Sequence, residues 1–169
     1  YVDTSIGVLD DRASNCVIGP QLPYGSINPS PQTENGSMDG YHPDYPIRGF
    51  GQLHVSGTGW SSYGHFLISP MTGLEVGLKD HDSEHSGDFT RPYLYKTHLD
   101  RYGIGVEIAP SHYSAIYRFT FPESEEAVLL FDAAHSIVGD IASEMTGSKA
   151  MENSVDVDPQ TNTVRMKLC

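Results

Sequence analysis

The chain has 169 residues, a net charge of −12 and an apolar share of 38%. That length can bury a sizeable core in one domain, and the apolar share excludes a globally disordered chain. The acidic balance argues against nucleic acid or an anionic membrane face as partner, and no run of about twenty apolar residues exists to span a bilayer.

The chain begins at Tyr1 without a methionine or a visible signal peptide, so the expectation is a processed chain or a piece of a longer one. Residues 1–9, YVDTSIGVL, predict a short strand entering a loop, and DDRASN predicts a polar turn. VIGPQLPYGSINPSP alternates apolar and turn residues around Pro20, Pro23, Pro29 and Pro31. Such proline density forbids helix and suits short or edge strands.

Residues 35–70 form the most distinctive stretch, with the sole tryptophan, Trp60, and the histidines His42, His54 and His65. Glycines 36, 40, 49, 51, 57, 59 and 64 predict a long irregular surface segment that ends in the apolar strand HFLISP. Long loops rich in aromatic and polar heads commonly carry function. MTGLEVGL continues as strand and turn.

Residues 79–92, KDHDSEHSGDFTRP, predict a charged loop. Asp80, Asp82 and Glu84 alternate there with His81 and His85 in a spacing that can bind calcium or a transition metal. The D-x-D-x-D-G pattern fails, because His85 and Ser86 follow Glu84, and a solvated loop is the expectation.

Beyond it, YLYKTHL, IGVEIAP, SAIYRFTFP and AVLLFDAA are strand-length runs at intervals of about ten residues, as in an antiparallel meander. Alternation puts Tyr93, Tyr95, Thr97 and Leu99 on one face, and sets Ile116, Arg118 and Thr120 against Tyr117, Phe119 and Phe121. HSIVGDIAS reads as strand or short helix, and SEMTGSKAMENS as loop. SVDVDPQTNTVRMKLC predicts a hairpin turning at DPQTN. No helical periodicity, internal repeat or low-complexity tract appears. The fold class is all-β, two packed antiparallel sheets forming a β-sandwich.

Self-sufficient catalysis lacks a motif. Asp39, Asp44, Asp80, Asp82, Glu84 and Asp100 are candidate carboxylates, but no spacing forces two of them to face each other. Around Ser56, His54 and Thr58 stand where a nucleophile elbow needs glycines. The GTG turn at 57–59 is no dinucleotide fingerprint, since Ser62 replaces its third glycine. Cys16 and Cys169 lie in no CxxC or paired Cys–His spacing, so no metal site is assigned, and separate thiols are expected over a disulfide.

A binding surface has more support. Trp60 offers a flat face to the apolar side of a sugar, and Tyr41, His42, Arg48, His54 and Tyr63 offer directional hydrogen bonds to hydroxyls. Gly57 and Gly59 let backbone approach a ligand. Two readings stand for Trp60 and His54: pocket wall, or satisfied core side chain.

The run RGFGQLHVSGTGWSSYGHFLISP resembles the signature of the amino-terminal domain of the family 92 glycoside hydrolases, the calcium-dependent exo-α-mannosidases. The likeness rests on Gly49-Phe50, on His54-Val55-Ser56-Gly57-Thr58-Gly59, on Tyr63-Gly64 and on Phe66 to Pro70. DGYHPD, YVDTSIG, GPQLPYGSINPSP, YGIGVEI and YRFTFPES are similar to further elements of the family, so about residues 1–135 are covered. Trp60, His65 and His112 stand where the family more often has a small residue, an aspartate and an arginine.

The resemblance implies that residues 1–169 are the amino-terminal β-sandwich of a larger, secreted or periplasmic glycosidase, incomplete at the C-terminal end. It implies hydrolysis of terminal α-mannosides with inversion. The catalytic carboxylates and calcium ligands would lie in a following (α/α) barrel, absent here, so no residue of this chain is assigned as catalytic. Tyr41, His42, Arg48, His54, Gly57, Gly59, Trp60 and Tyr63 would line one wall of the pocket. The partners would be a mannose-containing glycan and the barrel or a completing chain. A stand-alone carbohydrate-binding module or lectin is the alternative.

Overall fold

The structure, a computed structural model, describes residues 2–8, 16–33, 40–55, 64–77, 79–135, 137 and 153–167. Ten strands follow one another in these residues: β1 (Ser30–Thr33), β2 (Ile47–Leu53), β3 (His65–Thr72), β4 (His85–Arg91), β5 (Leu94–Leu99), β6 (Ile104–Pro110), β7 (Ala115–Thr120), β8 (Ala127–Asp132), β9 (Ser154–Asp158) and β10 (Thr163–Lys167). No helix occurs among the described residues. The chain is all-β, as its punctuation by Gly and Pro predicts.

Two four-stranded sheets carry the core. One runs β1-β2-β3-β8, the other β4-β5-β6-β7, and every pairing in them is antiparallel. The second holds three strands of the meander expected from the ten-residue spacing, β5, β6 and β7, but its remaining strand is β4, and residues 127–132, expected to continue the meander, leave it. After β7 the chain crosses to the first sheet, where β8 pairs with β3 from Leu67↔Asp132 to Thr72↔Ala127. The sheets meet through Phe50 on β2 and Phe119 on β7, whose ring centroids are 6.0 Å apart. Beside them Tyr117 Oη donates 3.1 Å to the Gly51 carbonyl, tying β7 to β2. The core joins Ile47, Phe50 and Met71 of the first sheet to Tyr95, Leu99, Ile104, Val106 and Ile108 of the second.

Alternation decides which side chains enter that core. Tyr95, Thr97 and Leu99 are buried while His98 is exposed, and Ile116, Arg118 and Thr120 are exposed while Tyr117 and Phe119 pack inward. The predicted terminal hairpin forms as β9 and β10, with Asn162 at φ 50° in its turn. Asparagine tolerates that left-handed conformation better than most side chains.

Three further expectations are corrected. Residues 47–53 form a buried central strand inside the stretch expected to be irregular surface. Gly49 fits there because a Cβ would stand 2.8 Å from Leu67 Cγ and 2.9 Å from the Ile68 carbonyl oxygen, so the missing side chain lets β3 approach. Residues 85–91 of the expected charged loop form β4, an edge strand that tolerates polar residues because only one side needs pairing. Its ladder to β5 is irregular between Ser86 and Phe89, where Gly87 has φ +67°. Residues 4–8 make a turn rather than a strand. Most of HSIVGDIAS and SEMTGSKAMENS lies outside the described residues, as does Cys169; Cys16 is a free thiol.

Candidate functional site

One end of the first sheet gathers polar side chains that the core has not satisfied. Asn28 makes an isolated parallel bridge with Leu53, and the His54 amide donates 3.4 Å to the Asn28 carbonyl. The Gly64 amide donates 2.7 Å to the Leu53 carbonyl, so β3 starts beside the end of β2. β8 ends at the same place, since Asp132 pairs with Leu67, and His135 follows it. Val55 and Gly64, on either side of residues 56–63, therefore both belong to this end.

The His54 imidazole lies against bare backbone. A Cβ on Gly51 would stand 2.7 Å from His54 Cε1, which is why a glycine occupies that strand position. Gln32 reaches in from β1. Its Oε1 would be 3.4 Å from a Cβ on Gly64, and its Cδ 3.5 Å from one on Gly40. Both glycines have positive φ, +80° and +89°, and both face the side chain of Ile137.

Asn28, Gln32, His54 and His135 are 3%, 4%, 3% and 7% exposed, yet Asn28 Oδ1, Gln32 Oε1, both His54 ring nitrogens and His135 Nε2 have no hydrogen-bond partner among the described residues. A buried polar atom left unpaired costs about 1–3 kcal/mol. Several at one sheet end mark a place where a polar partner is wanted.

Electrostatics keeps this end neutral. Burial, with the neighbouring His135, pushes His54 down to about 4. Burial also pushes His135 down to about 4, with Arg48, His65 and His81 adding to the effect against the opposing pull of Asp132. Neutral imidazoles each offer one donor and one acceptor, which suits hydroxyl groups.

The predicted wall residues divide into three groups. His54 is in the cluster. Arg48 is buried beside it, but its Nε and Nη2 each lie 3.1 Å from the carboxylate of Asp82, a two-pronged ion pair that fixes the guanidinium. Tyr41 is in the hydrophobic core rather than on an open face, and burial raises its phenol. His42 is half-buried, its ring tilted 41° against that of Tyr45 with centroids 4.5 Å apart, and its Nδ1 accepts the Asp44 amide at 3.2 Å. Gly57, Gly59, Trp60 and Tyr63 lie outside the described residues. Asn28, Gln32 and His135 were not read from the sequence; only the sheet pairing brings them to His54.

Among the described residues no group of three His, Cys, Asp or Glu is placed to hold a metal ion. In the 79–92 segment Asp82 is engaged by Arg48, and the His81 ring lies 3.0 Å from the Gly77 carbonyl, so these residues do not fit a calcium site. The carboxylates whose acidity is displaced, Asp3, Asp88, Asp100, Glu107 and Asp158, all move downward, the wrong direction for a general acid.

The model of the glycosyl hydrolase family 92 N-terminal domain matches residues 1–166. The chain belongs to this family. The family GH92 alpha-mannosidase BT3965 from Bacteroides thetaiotaomicron is similar in structure, with TM-score 0.73 and 30% identity over 81% of this chain. Its complex with mannoimidazole superimposes with TM-score 0.73 and 32% identity over 81% of this chain. The GH92 family glycosyl hydrolase ccman5 shares the fold, with TM-score 0.78 and 22% identity over 93% of this chain. The chain spans only 20–22% of the length of these structures. No curated protein matches the chain.

Proposed function

We propose that this family 92 domain supplies a substrate-binding wall, not proton transfer, to an exo-acting α-mannosidase that hydrolyses terminal α-mannosides with inversion. The observation that carries the reading is the set of unpaired, deeply buried polar atoms on Asn28, Gln32, His54 and His135 beside the roots of residues 56–63. A sugar hydroxyl both donates and accepts, so it can satisfy neutral imidazoles and amide oxygens together. An inverting site holds its acid and base carboxylates apart so that a water fits between. In this reading those carboxylates and any calcium belong to a following domain, and the enzyme works outside the cytoplasm. Here the chain's work is to hold the sugar in a reactive pose and exclude water. Family membership and the α-mannosidase neighbours support the substrate class.

Calorimetric titration of mannose and α-mannobiose into the 169-residue chain tests this. The expected result is no useful affinity for the chain alone, no release from an aryl α-mannoside, and binding once the following domain is joined. In that joined enzyme, His54→Gln is expected to lower kcat/KM by about 10²-fold. Tight binding by the chain alone, lost in Trp60→Ala, would instead identify a self-contained carbohydrate-binding module.

A further inference from the structure

Two exposed tyrosines stand near the polar cluster, one on the loop before β1 and one on the turn between β6 and β7. Tyr24 is 99% exposed, and its φ is 59°. The Gly25 amide donates 3.0 Å to the Leu22 carbonyl, so Leu22-Pro23-Tyr24-Gly25 is a tight turn. Proline suits the second position of such a turn, but a positive φ at the third normally selects glycine or asparagine. A bulky side chain there is strained. Among the described residues the other non-glycine positions with positive φ, Phe66 and Asn162, fall within β3 and in the β9–β10 turn. The Tyr24 ring lies almost wholly in solvent, so no packing offsets its strain. Uncompensated strain of this kind clusters at ligand sites.

Tyr113 is 78% exposed on the β6–β7 turn, which the Ser111 amide closes by donating 2.6 Å to the Ser114 carbonyl. The exposed His112 ring meets that of Tyr113 edge-on, with centroids 6.4 Å apart at 71°. The two loops are joined, because the Ser26 amide donates 2.7 Å to the His112 carbonyl. Both are also fixed to the cluster. Two residues beyond Ser26, the Asn28 amide donates 3.2 Å to the Gln52 carbonyl, and the Asn28 carbonyl accepts the His54 amide. An extended chain advances about 3.3 Å per residue, which puts Ser26 roughly 7 Å from Asn28. From the other loop β7 runs to Tyr117, whose hydroxyl donates to the carbonyl of Gly51, the glycine against which the His54 ring lies.

We propose that Tyr24 and Tyr113, with His112, form an aromatic rim for the second sugar of the glycan, on the leaving-group side, while the polar cluster takes the terminal mannose. This rests on the sugar-wall reading and adds a substrate class to it: a mannoside whose leaving group is itself a sugar. The chemistry divides between the two places. The cluster is buried and holds unpaired polar atoms, which suit the hydroxyls of an enclosed sugar. The rim is exposed and holds ring faces with phenol and imidazole heads. Those suit the apolar face and edge hydroxyls of a sugar still partly in water.

Kinetics of the joined enzyme on α-mannobiose and on methyl α-mannoside test the rim, since only the first carries a second sugar. Tyr24→Gly and Tyr113→Ala are each expected to raise KM for α-mannobiose about 3- to 10-fold with kcat little changed, and to leave methyl α-mannoside as it was. Tyr24→Phe should keep most of the affinity for α-mannobiose. Because glycine relieves the strained turn, the Tyr24→Gly enzyme should melt no lower than the wild type. A loss shared equally by both substrates overturns the proposal, and so does an unchanged KM for α-mannobiose in both variants. A lowered melting temperature in Tyr24→Gly also overturns it, by assigning Tyr24 to the fold or to contact with the following domain. A folded joined enzyme indifferent to both mannosides would refute the sugar-wall reading itself, and the rim with it.

Discussion

Arg48 and Asp82 are each 8% exposed and share two bonds of 3.1 Å, so neither charge has water to return to if its partner is removed. Arg165 and Asp156 on the terminal hairpin meet at 3.2 Å, but both side chains are largely in solvent. The two pairs look alike as a distance and differ in burial, and burial sets the outcome. Asp82→Ala is expected to destabilise the chain by about 3–5 kcal/mol, because it strands a buried guanidinium. Arg165→Ala is expected to cost under about 1 kcal/mol. Urea denaturation of both variants checks this, and equal losses would show that Arg48 finds solvent or another partner once Asp82 is gone. The same pairing bears on the site. Arg48 was expected to hydrogen-bond a sugar directly, and its guanidinium is instead fixed by Asp82 beneath the cluster, where its charge helps keep His135 neutral.

At the scale of strands, β2 decides where the site sits, and glycine lets it be central. A Cβ at Gly49 would crowd the side chains of Ser69 and Leu67 and the Ile68 carbonyl oxygen, and the last is backbone that cannot swing aside. Gly49→Ala is therefore expected to cost about 1–3 kcal/mol by overpacking, read as a lower melting temperature. An unchanged melting point would mean that β3 does not approach β2 this closely. The same glycines explain what was legible in the sequence. Strands β5 to β7 were plain, because Tyr95, Thr97 and Leu99, then Tyr117 and Phe119, take alternate positions, but even spacing could not show that the next run, β8, crosses to the first sheet. The hairpin of β9 and β10 was plain from its turn. β2 was hidden, because IRGFGQL carries two glycines that local propensity assigns to loops. Only the approach of β3 and of the His54 ring gives them a reason. The polar cluster was half legible for a related cause. His54 lies in a recognisable run, whereas Asn28, Gln32 and His135 come from separate segments joined by sheet pairing. The pair of His85 Nδ1 and Asp88 Oδ2, 2.7 Å apart, was misread as solvated loop because a three-residue spacing says nothing about burial.

Over the whole molecule, buried histidines of opposite behaviour set a stability maximum in pH. His54 and His135 have folded values near 4, below the unfolded value of about 6.5. Their contribution is complete above pH ~6.5. It falls as the pH drops toward 4, because the unfolded chain binds protons that the folded one refuses. Each depression corresponds to at most about 3 kcal/mol, and the mutual influence of the two rings makes the pair less than additive. His85 runs the other way. Its folded value is raised by the Asp88 hydrogen bond, so its contribution is complete below pH ~6.5 and is lost as the pH climbs through that folded value. Asp88, lowered by the same pair, gives up its share only in stronger acid. Unfolding free energy measured in urea from pH 4 to 8 should therefore rise steeply to about 6.5 and then level or decline. His54→Leu should flatten the acid limb and leave the alkaline side as it was, whereas His85→Gln should do the reverse. A curve flat between pH 4 and 6.5 would mean that His54 and His135 reach water or a partner in the folded chain, and the sheet-end cluster would then lose its demand for a ligand.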